Sequence, residues 1–159
     1  NHLINYRGAR LWTKDEALLR MEECEKDGLV HLGANSQSGN IQICNCCPCC
    51  CFALRGLTEL HNANSFVRSN FEPSIDHKKC NLCKKCEKIC PMDCISKLPG
   101  YEANGSDNRM LIQESHCIGC GLCASHCPEN AIVMNKVRQD LPAKTIPEMM
   151  ERYEKEKLW

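Results

Sequence analysis

Aromatic residues supply only 5% of this 159-residue chain, against a nominal apolar fraction of 43%. Sixteen of the residues counted as apolar are cysteines, so much of that hydrophobicity is thiol rather than hydrocarbon. A packed oil-like core is correspondingly thin, and metal is expected to do part of what a core does elsewhere. Net charge is also missing: 20 Lys and Arg balance 20 Asp and Glu. No global field therefore favours nucleic acid or anionic lipid. No run of about 18 apolar residues occurs, which argues against direct membrane insertion. No charged, apolar, small-residue leader opens the chain. The start at Asn1 without Met, in the stretch NHLINYRGARLW, is read as the middle of something longer, with more protein expected upstream.

Sixteen cysteines in a short secreted chain would suggest a disulfide framework. Neighbours such as Cys46 and Cys47 discourage simple pairing on geometric grounds, and clustered CxxC spacings favour reduced thiolates bound to metal in a cytoplasmic setting. Six cysteines crowd into ICNCCPCCC at residues 43–51: Cys44, Cys46, Cys47, Cys49, Cys50 and Cys51.

Upstream of that run, Thr13 and Glu16 form a capping-box signature, with Trp12 and Ala17 placed for a hydrophobic staple. A helix is expected from there to Gly28, with Leu18, Leu19, Met21 and Cys24 on its apolar side. Residues 29–32 and 41–43 read as two short strands. Residues 52–61 read as a helix carrying Phe52, Ala53, Leu57 and Leu60 inward. The tail offers Thr145 and Glu148 as a second capping box, and Ile146, Met149, Met150 and Tyr153 fall on one helical face that is expected to pack on its own protein.

Between these parts lies an internal repeat. The first copy runs Ile75, Asp76, Cys80, Cys83, Cys86, Cys90, Pro91, Cys94, Ile95, and the second runs Ser115, His116, Cys117, Cys120, Cys123, Cys127, Pro128, Ala131, Ile132. Each copy reads strand, cysteine loop, short helix, strand, and residues 98–108 form a turn-rich insert bending at Asn104-Gly105. The spacing C-x2-C-x2-C-x3-C-P is that of bacterial cubane clusters, the fourth cysteine of each run serving the other cluster. Three thiolates spaced two residues apart wrap a loop around one face of a cube with amides turned toward sulfur. The fourth begins a short helix and points away. Structural zinc leaves the third cysteine and the Cys-Pro of each copy unexplained. No C-x3-C-x2-C run suggests radical chemistry, and no CxxC is followed by His as in covalent haem attachment.

On these motifs, residues 71–135 resemble the bacterial-type ferredoxins with two 4Fe-4S clusters. The resemblance implies Cys80, Cys83, Cys86 and Cys127 on cluster I, and Cys117, Cys120, Cys123 and Cys90 on cluster II. It also implies an α+β, ferredoxin-like pseudo-twofold fold of hairpins and short helices around two clusters. The chain departs from the short members of that family in its insert and in Cys94, which stands where the second copy has Ala131. With every iron held by cysteine, the clusters are expected to move electrons and little else. Lys78, Lys79, Lys84, Lys85 and Lys88 surround the first loop. Each exposed ammonium biases cluster I toward reduction by about ten millivolts, and the group forms a candidate docking patch for an acidic redox partner.

Within ICNCCPCCC, Cys44, Cys47 and Cys50 repeat the C-x2-C-x2-C comb, while Cys46 and Cys49 form an interleaved CxxC. A third iron-sulfur cluster is the leading expectation, its fourth ligand open among Cys51, Cys46, Cys24 and Cys94. A soft zinc or copper(I) site, a redox-active thiol or disulfide patch fed by the ferredoxin part, and buried unligated thiols stand beside it. His116 and His126 flank cluster II cysteines as candidates for tuning its potential by hydrogen bonding, and His31 and His61 read as structural.

The expected organisation is a small α/β extension at 1–43, a cysteine-rich metal site and helix at 44–62, a dicluster ferredoxin domain at 63–135 and a helical tail at 136–159. The expected function is a low-potential iron-sulfur relay within a larger anaerobic oxidoreductase, partnered by redox proteins and not by nucleic acid. Two other classes stay open. One is a reductase with a catalytic cluster or dithiol at Cys44 to Cys51, and the other a regulator sensing oxygen or iron.

Overall fold

The computed structural model describes residues 8–39, 42–62, 65–98 and 109–155. The Asn104-Gly105 bend lies outside the described residues. Chain order is α1 (Lys14–Lys26), β1 (Val30–Gly33), β2 (Ile43–Cys46), α2 (Phe52–Thr58), β3 (Phe71–Ile75), α3 (Lys85–Ile89), β4 (Ile95–Leu98), β5 (Arg109–Ile112), α4 (Leu122–Ser125), β6 (Ile132–Lys136) and α5 (Ile146–Lys155). The strands form three antiparallel pairs, β1 with β2, β3 with β6 and β4 with β5. The architecture is thus a small mixed α/β fold.

Helix α1 starts where its capping box places it. Thr13 Oγ1 accepts from the Glu16 N–H at 3.2 Å, and the Glu16 carboxylate accepts from the Thr13 N–H at 2.8 Å. Trp12 carries the Arg10 guanidinium 5.2 Å from its ring centroid. The apolar side of α1 is weaker than its pattern suggests: none of its residues is fully buried, and Leu18 and Leu19 are each about half exposed.

Two sequence expectations are corrected in this region. Strand β2 spans Ile43–Cys46 rather than ending at residue 43, so Cys44 and Cys46 are strand residues paired with Leu32 and Val30. Pairing with β1 draws the start of the cysteine run into the hairpin, and the polypeptide turns only at Pro48 to Cys50. Helix α2 ends at Thr58, and Phe52 and Leu60 are 85% and 76% exposed. Leu57 packs inward as expected, but the face is anchored by Leu54, which is fully buried.

The two repeat copies exchange strands. Strand β3, before the first cysteine loop, pairs with β6 from the end of the second copy, and β4 pairs with β5 across the insert. The same backbone bond recurs in each half: Asp76 N–H donates to Ala131 O at 2.8 Å, and Gln113 N–H to Cys94 O at 2.7 Å.

Positive φ angles also recur at matched positions. Leu82 and Gly119 have φ of 60° and 71°, Lys84 and Gly121 have 61° and 87°, and Asp93 and Asn130 have 49° and 48°. These left-handed residues lie between or just after the cysteines, and nearby amides face the sulfurs, a backbone concavity suited to an anionic guest. Gly119 N–H lies 3.4 Å from Cys117 Sγ, and Ala131 N–H lies 3.3 Å from Cys127 Sγ.

Two apolar clusters fill the interior. One contains Cys86, Cys94, Cys117 and Cys123 with Ile95, Met110 and Ile132. The other joins Val30 and Leu54 to Ile118 and Leu122. It therefore draws on both sides of the expected 62/63 boundary and seats the N-terminal hairpin on the second cysteine loop. Gly28, at φ +76°, ends the α1 turn against Ile89, where an added Cβ would lie 2.7 Å from Ile89 Cδ1. The tail returns to the same unit: Ser38 Oγ donates to Lys144 O at 2.6 Å, and Gln37 Nε2 to Pro142 O at 2.8 Å. Thr145 Oγ1 accepts from Glu148 N–H at 3.4 Å, while Glu148 reaches the Lys144 N–H rather than that of Thr145.

Gly119→Ala is expected to destabilise the protein by about 1–3 kcal/mol, because the new Cβ would meet the Phe71 carbonyl oxygen in an already left-handed conformation. Gly121→Ala, with open space around it, should cost only about 1 kcal/mol. Anaerobic denaturant titration of the two variants checks the order.

Candidate metal centres

Each repeat loop delivers three cysteines to one cavity and one to the other. The first cavity is bordered by Cys80, Cys83, Cys86 and Cys127, with Ile75, Met110 and Ile132 as apolar walls. The second is bordered by Cys117, Cys120, Cys123 and Cys90, with Pro73, Ile95 and Ile118. The short helices cause this sorting. Cys86 and Cys123 are the second residues of α3 and α4, while Cys90 and Cys127, expected to begin a short helix, instead follow the helix ends and line the opposite cavity.

The chemistry of these donor sets fits iron-sulfur clusters. The first cavity presents four soft sulfur donors and the second five, each with apolar walls; the first is also lined by Glu129, Lys84 and Lys85. Burial pushes the Cys86 thiol up and the Cys123 thiol up to about 12. Loading a cationic iron core would require these thiols as thiolates and would release their protons.

Cys94 is a fifth thiol at the second cavity. It is buried, and its Sγ lies 3.5 Å from Cys90 Sγ. Hydrogen bonding with Cys117 and Cys90 holds Cys94 far above the ordinary thiol range. Hydrogen bonding with Cys94 in turn brings Cys90 down to about 6 and Cys117 down to about 7. In the first cavity the matching position is Ala131, so only one centre receives this support.

Sequence reasoning missed what the uncharged second loop does. Ile118 and Leu122, which stand where the first copy has Asn81 and Lys85, are buried against Val30 and Leu54. The signal was present: large apolar residues in one copy of a loop whose other copy is solvated. The first loop keeps its lysines outward. Lys84 and Lys85 border the first cavity, and the ion pairs there are loose, 3.8 Å for Lys84 with Glu87 and 3.9 Å for Lys79 with Asp76.

In the cysteine-rich run, Cys47 and Cys49 form a disulfide, a departure from an all-reduced set. Cys44, Cys46, Cys50 and Cys51 remain free thiols. The Cys46 thiol is pushed up by burial first, then by the charges of Cys51, Cys44 and Cys50, which surround it. The sulfurs of Cys47, Cys49 and Cys50 all lie within 4.8 Å of one another. Cys24, on α1, is half-buried and free. His31 Nδ1 meets Asn45 Oδ1 at 2.5 Å within the β1–β2 hairpin. The His126 nitrogens face Leu122 O at 2.9 Å and Lys26 O at 3.4 Å, joining α4 to the end of α1.

Residues 79–131 match the 4Fe-4S dicluster domain family. Over 66 residues the chain is 36% identical to pyruvate synthase subunit PorD of Methanothermobacter marburgensis, covering 42% of this chain and 68% of that protein. It is 31% identical over 86 residues to NADH-quinone oxidoreductase subunit I of Pelobacter propionicus, covering 51% of this chain and 41% of that protein. A ferredoxin of Methanocaldococcus jannaschii is 41% identical over 49 residues, 31% of this chain and 25% of its own length. The chain belongs to the 4Fe-4S dicluster family. It is an iron-sulfur electron-transfer protein.

Cys94→Ala is expected to leave iron and sulfide content unchanged and to lower the potential of one centre. Loss of the Cys94 S–H as a donor to a ligating sulfur removes stabilisation that is greatest for the more negative, reduced state. At about 0.5–1.5 kcal/mol per hydrogen bond the shift is roughly 20–65 mV for a one-electron couple. Anaerobic redox titration measures it, and loss of iron would instead make Cys94 a ligand.

Proposed function

We propose that the chain relays low-potential electrons through two 4Fe-4S clusters, one held by Cys80, Cys83, Cys86 and Cys127 and the other by Cys117, Cys120, Cys123 and Cys90. The observation that carries this reading is the crosswise sorting of eight cysteines around two cavities, three from one repeat copy and one from the other. Bound clusters would supply reversible one-electron chemistry. The protein's part is to exclude water with Ile75, Met110, Ile95 and Ile132, and to aim amides at the sulfurs. The exchanged strands, matched backbone bonds and matched left-handed residues support a ferredoxin-like pseudo-twofold arrangement of the two halves.

A third metal centre on the cysteine-rich run completes the proposed relay. The four free thiols Cys44, Cys46, Cys50 and Cys51, gathered around Cys46, have the count and softness for one further iron-sulfur cluster. Reduction of the Cys47–Cys49 bridge would make all six sulfurs available. The names of the relatives place them in multisubunit oxidoreductases, and this chain is proposed to serve as an electron-transfer subunit or part of such an assembly. Fourteen free thiols suit a reducing, cytoplasmic compartment, and no helix among the described residues is long and apolar enough to cross a membrane.

Anaerobic iron and acid-labile sulfide counts test the cluster complement. About twelve irons per chain are expected, and Cys46→Ser should remove about four of them while the other eight stay. A count of about eight in the unmodified protein eliminates the third centre, and colourless protein eliminates the whole reading.

The exposed lysines around the first cavity are proposed to dock an acidic redox partner. Lys84→Glu combined with Lys85→Glu should slow electron transfer to such a partner several-fold at low salt and flatten its ionic-strength dependence. Stopped-flow rates across a salt series decide it, and unchanged rates would dismiss the patch.

A further inference from the structure

The Cys47–Cys49 disulfide has a use that electron relay alone does not explain. Its Cys49 end is exposed, and the exposed thiol of Cys50 lies 3.6 Å from Cys49 Sγ. Cys49 also lines an open groove that shares Cys90 and Pro91 with the lining of the second cysteine cavity. Pro48 and Cys49 form one part of its lining, and Lys88, Cys90 and Pro91 form another. The disulfide is therefore bordered on one side by a thiol of the four-cysteine set and on the other by a groove that reaches a cysteine of the dicluster half. The packing that creates this arrangement is specific: Leu54 anchors α2 on Ile118 and Leu122, and Gly28 brings the end of α1 against Ile89.

We propose that the Cys47–Cys49 bridge is a redox-active disulfide that collects two electrons from the iron-sulfur centres and hands them on as a dithiol, so that the chain reduces disulfide substrates. The proposal rests on the electron-transfer reading above, because the one-electron donors are the reduced iron-sulfur centres. In the charging step two electrons enter, the S–S bond breaks, and two protons from solvent leave one thiol on Cys47 and one on Cys49. In the discharging step the exposed Cys49 thiolate attacks a substrate disulfide and expels one substrate thiol. Cys47 then attacks the mixed disulfide, expels the second thiol and restores the bridge. Two reducing equivalents pass from the centres to the substrate in each cycle. The groove is open enough for a disulfide to approach Cys49, and the half-buried Cys47 is placed as the resolving sulfur.

The test uses anaerobically isolated, cluster-loaded protein and the double variant Cys47→Ser with Cys49→Ser. Both are reduced with limiting dithionite at two equivalents per chain, and the visible iron-sulfur bleach is followed. In the unmodified protein the bleach should recover as the bridge opens, and iodoacetamide labelling should then find two additional alkylated cysteines, Cys47 and Cys49. In the variant the bleach should persist. Coulometric titration should give two electrons fewer for the variant at equal iron and sulfide content.

Equal electron counts at equal iron content would overturn the proposal and leave the relay standing. So would alkylation of Cys47 and Cys49 before reduction, or loss of about four irons in the variant, which would make these cysteines cluster ligands. Protein without iron or sulfide would instead remove the relay reading itself.

Discussion

The fold depends on sulfur occupying the places that hydrocarbon takes in other small domains. Four of the seven buried residues of the larger apolar cluster are cysteines, and Cys80, Cys90 and Cys127 pack at its edge. Thiols are small and form weak hydrogen bonds, so a core of this kind gains little from burial alone. A metal-sulfur guest shared by these sulfurs would supply that cohesion, and with the proposed ligand sets it would tie loops from both repeat copies at once. The left-handed residues at matched positions belong to the same constraint, since they turn amides inward where a negative guest would sit.

The two copies answer that constraint differently. The second uses Gly119 and Gly121 where the first uses Leu82 and Lys84. Gly119 also admits the Phe71 carbonyl, so its lack of a side chain serves packing as well as conformation. Ile118 and Leu122 convert the second loop into a platform for Val30 and Leu54. The first loop stays solvated and basic. Cys94 adds a third difference by placing a fifth thiol at one cavity only. One half of the module is thereby built into the rest of the chain, and the other is left facing solvent and any partner.

This division gives the cysteine-rich run its setting. Its hairpin rests on the second loop, and its disulfide borders a groove that also contains Cys90. In the proposed scheme, electrons entering near the lysines would pass from the exposed centre to the enclosed one and then to sulfur chemistry at residues 44–51. The order follows from burial and placement: the solvated half meets the donor, and the half covered by the extension lies beside the acceptor.

Local order was legible in the sequence because covalent spacing and short-range hydrogen bonds determine it. The Thr13–Glu16 box began α1 where expected, and the repeat spacing located both cysteine loops with their strands and helices. The direction in which α2 faces was not legible, because seven residues give too little periodicity and Leu54 is buried only by meeting Ile118 and Leu122. Nor was the extension of β2 through Cys46, since that pairing depends on where β1 lies. By itself, then, the sequence determined the count and spacing of the sulfur donors. Only tertiary packing decided which of them share a cavity, which pair with each other and which stand beside Cys90, because those are distances between segments far apart along the chain.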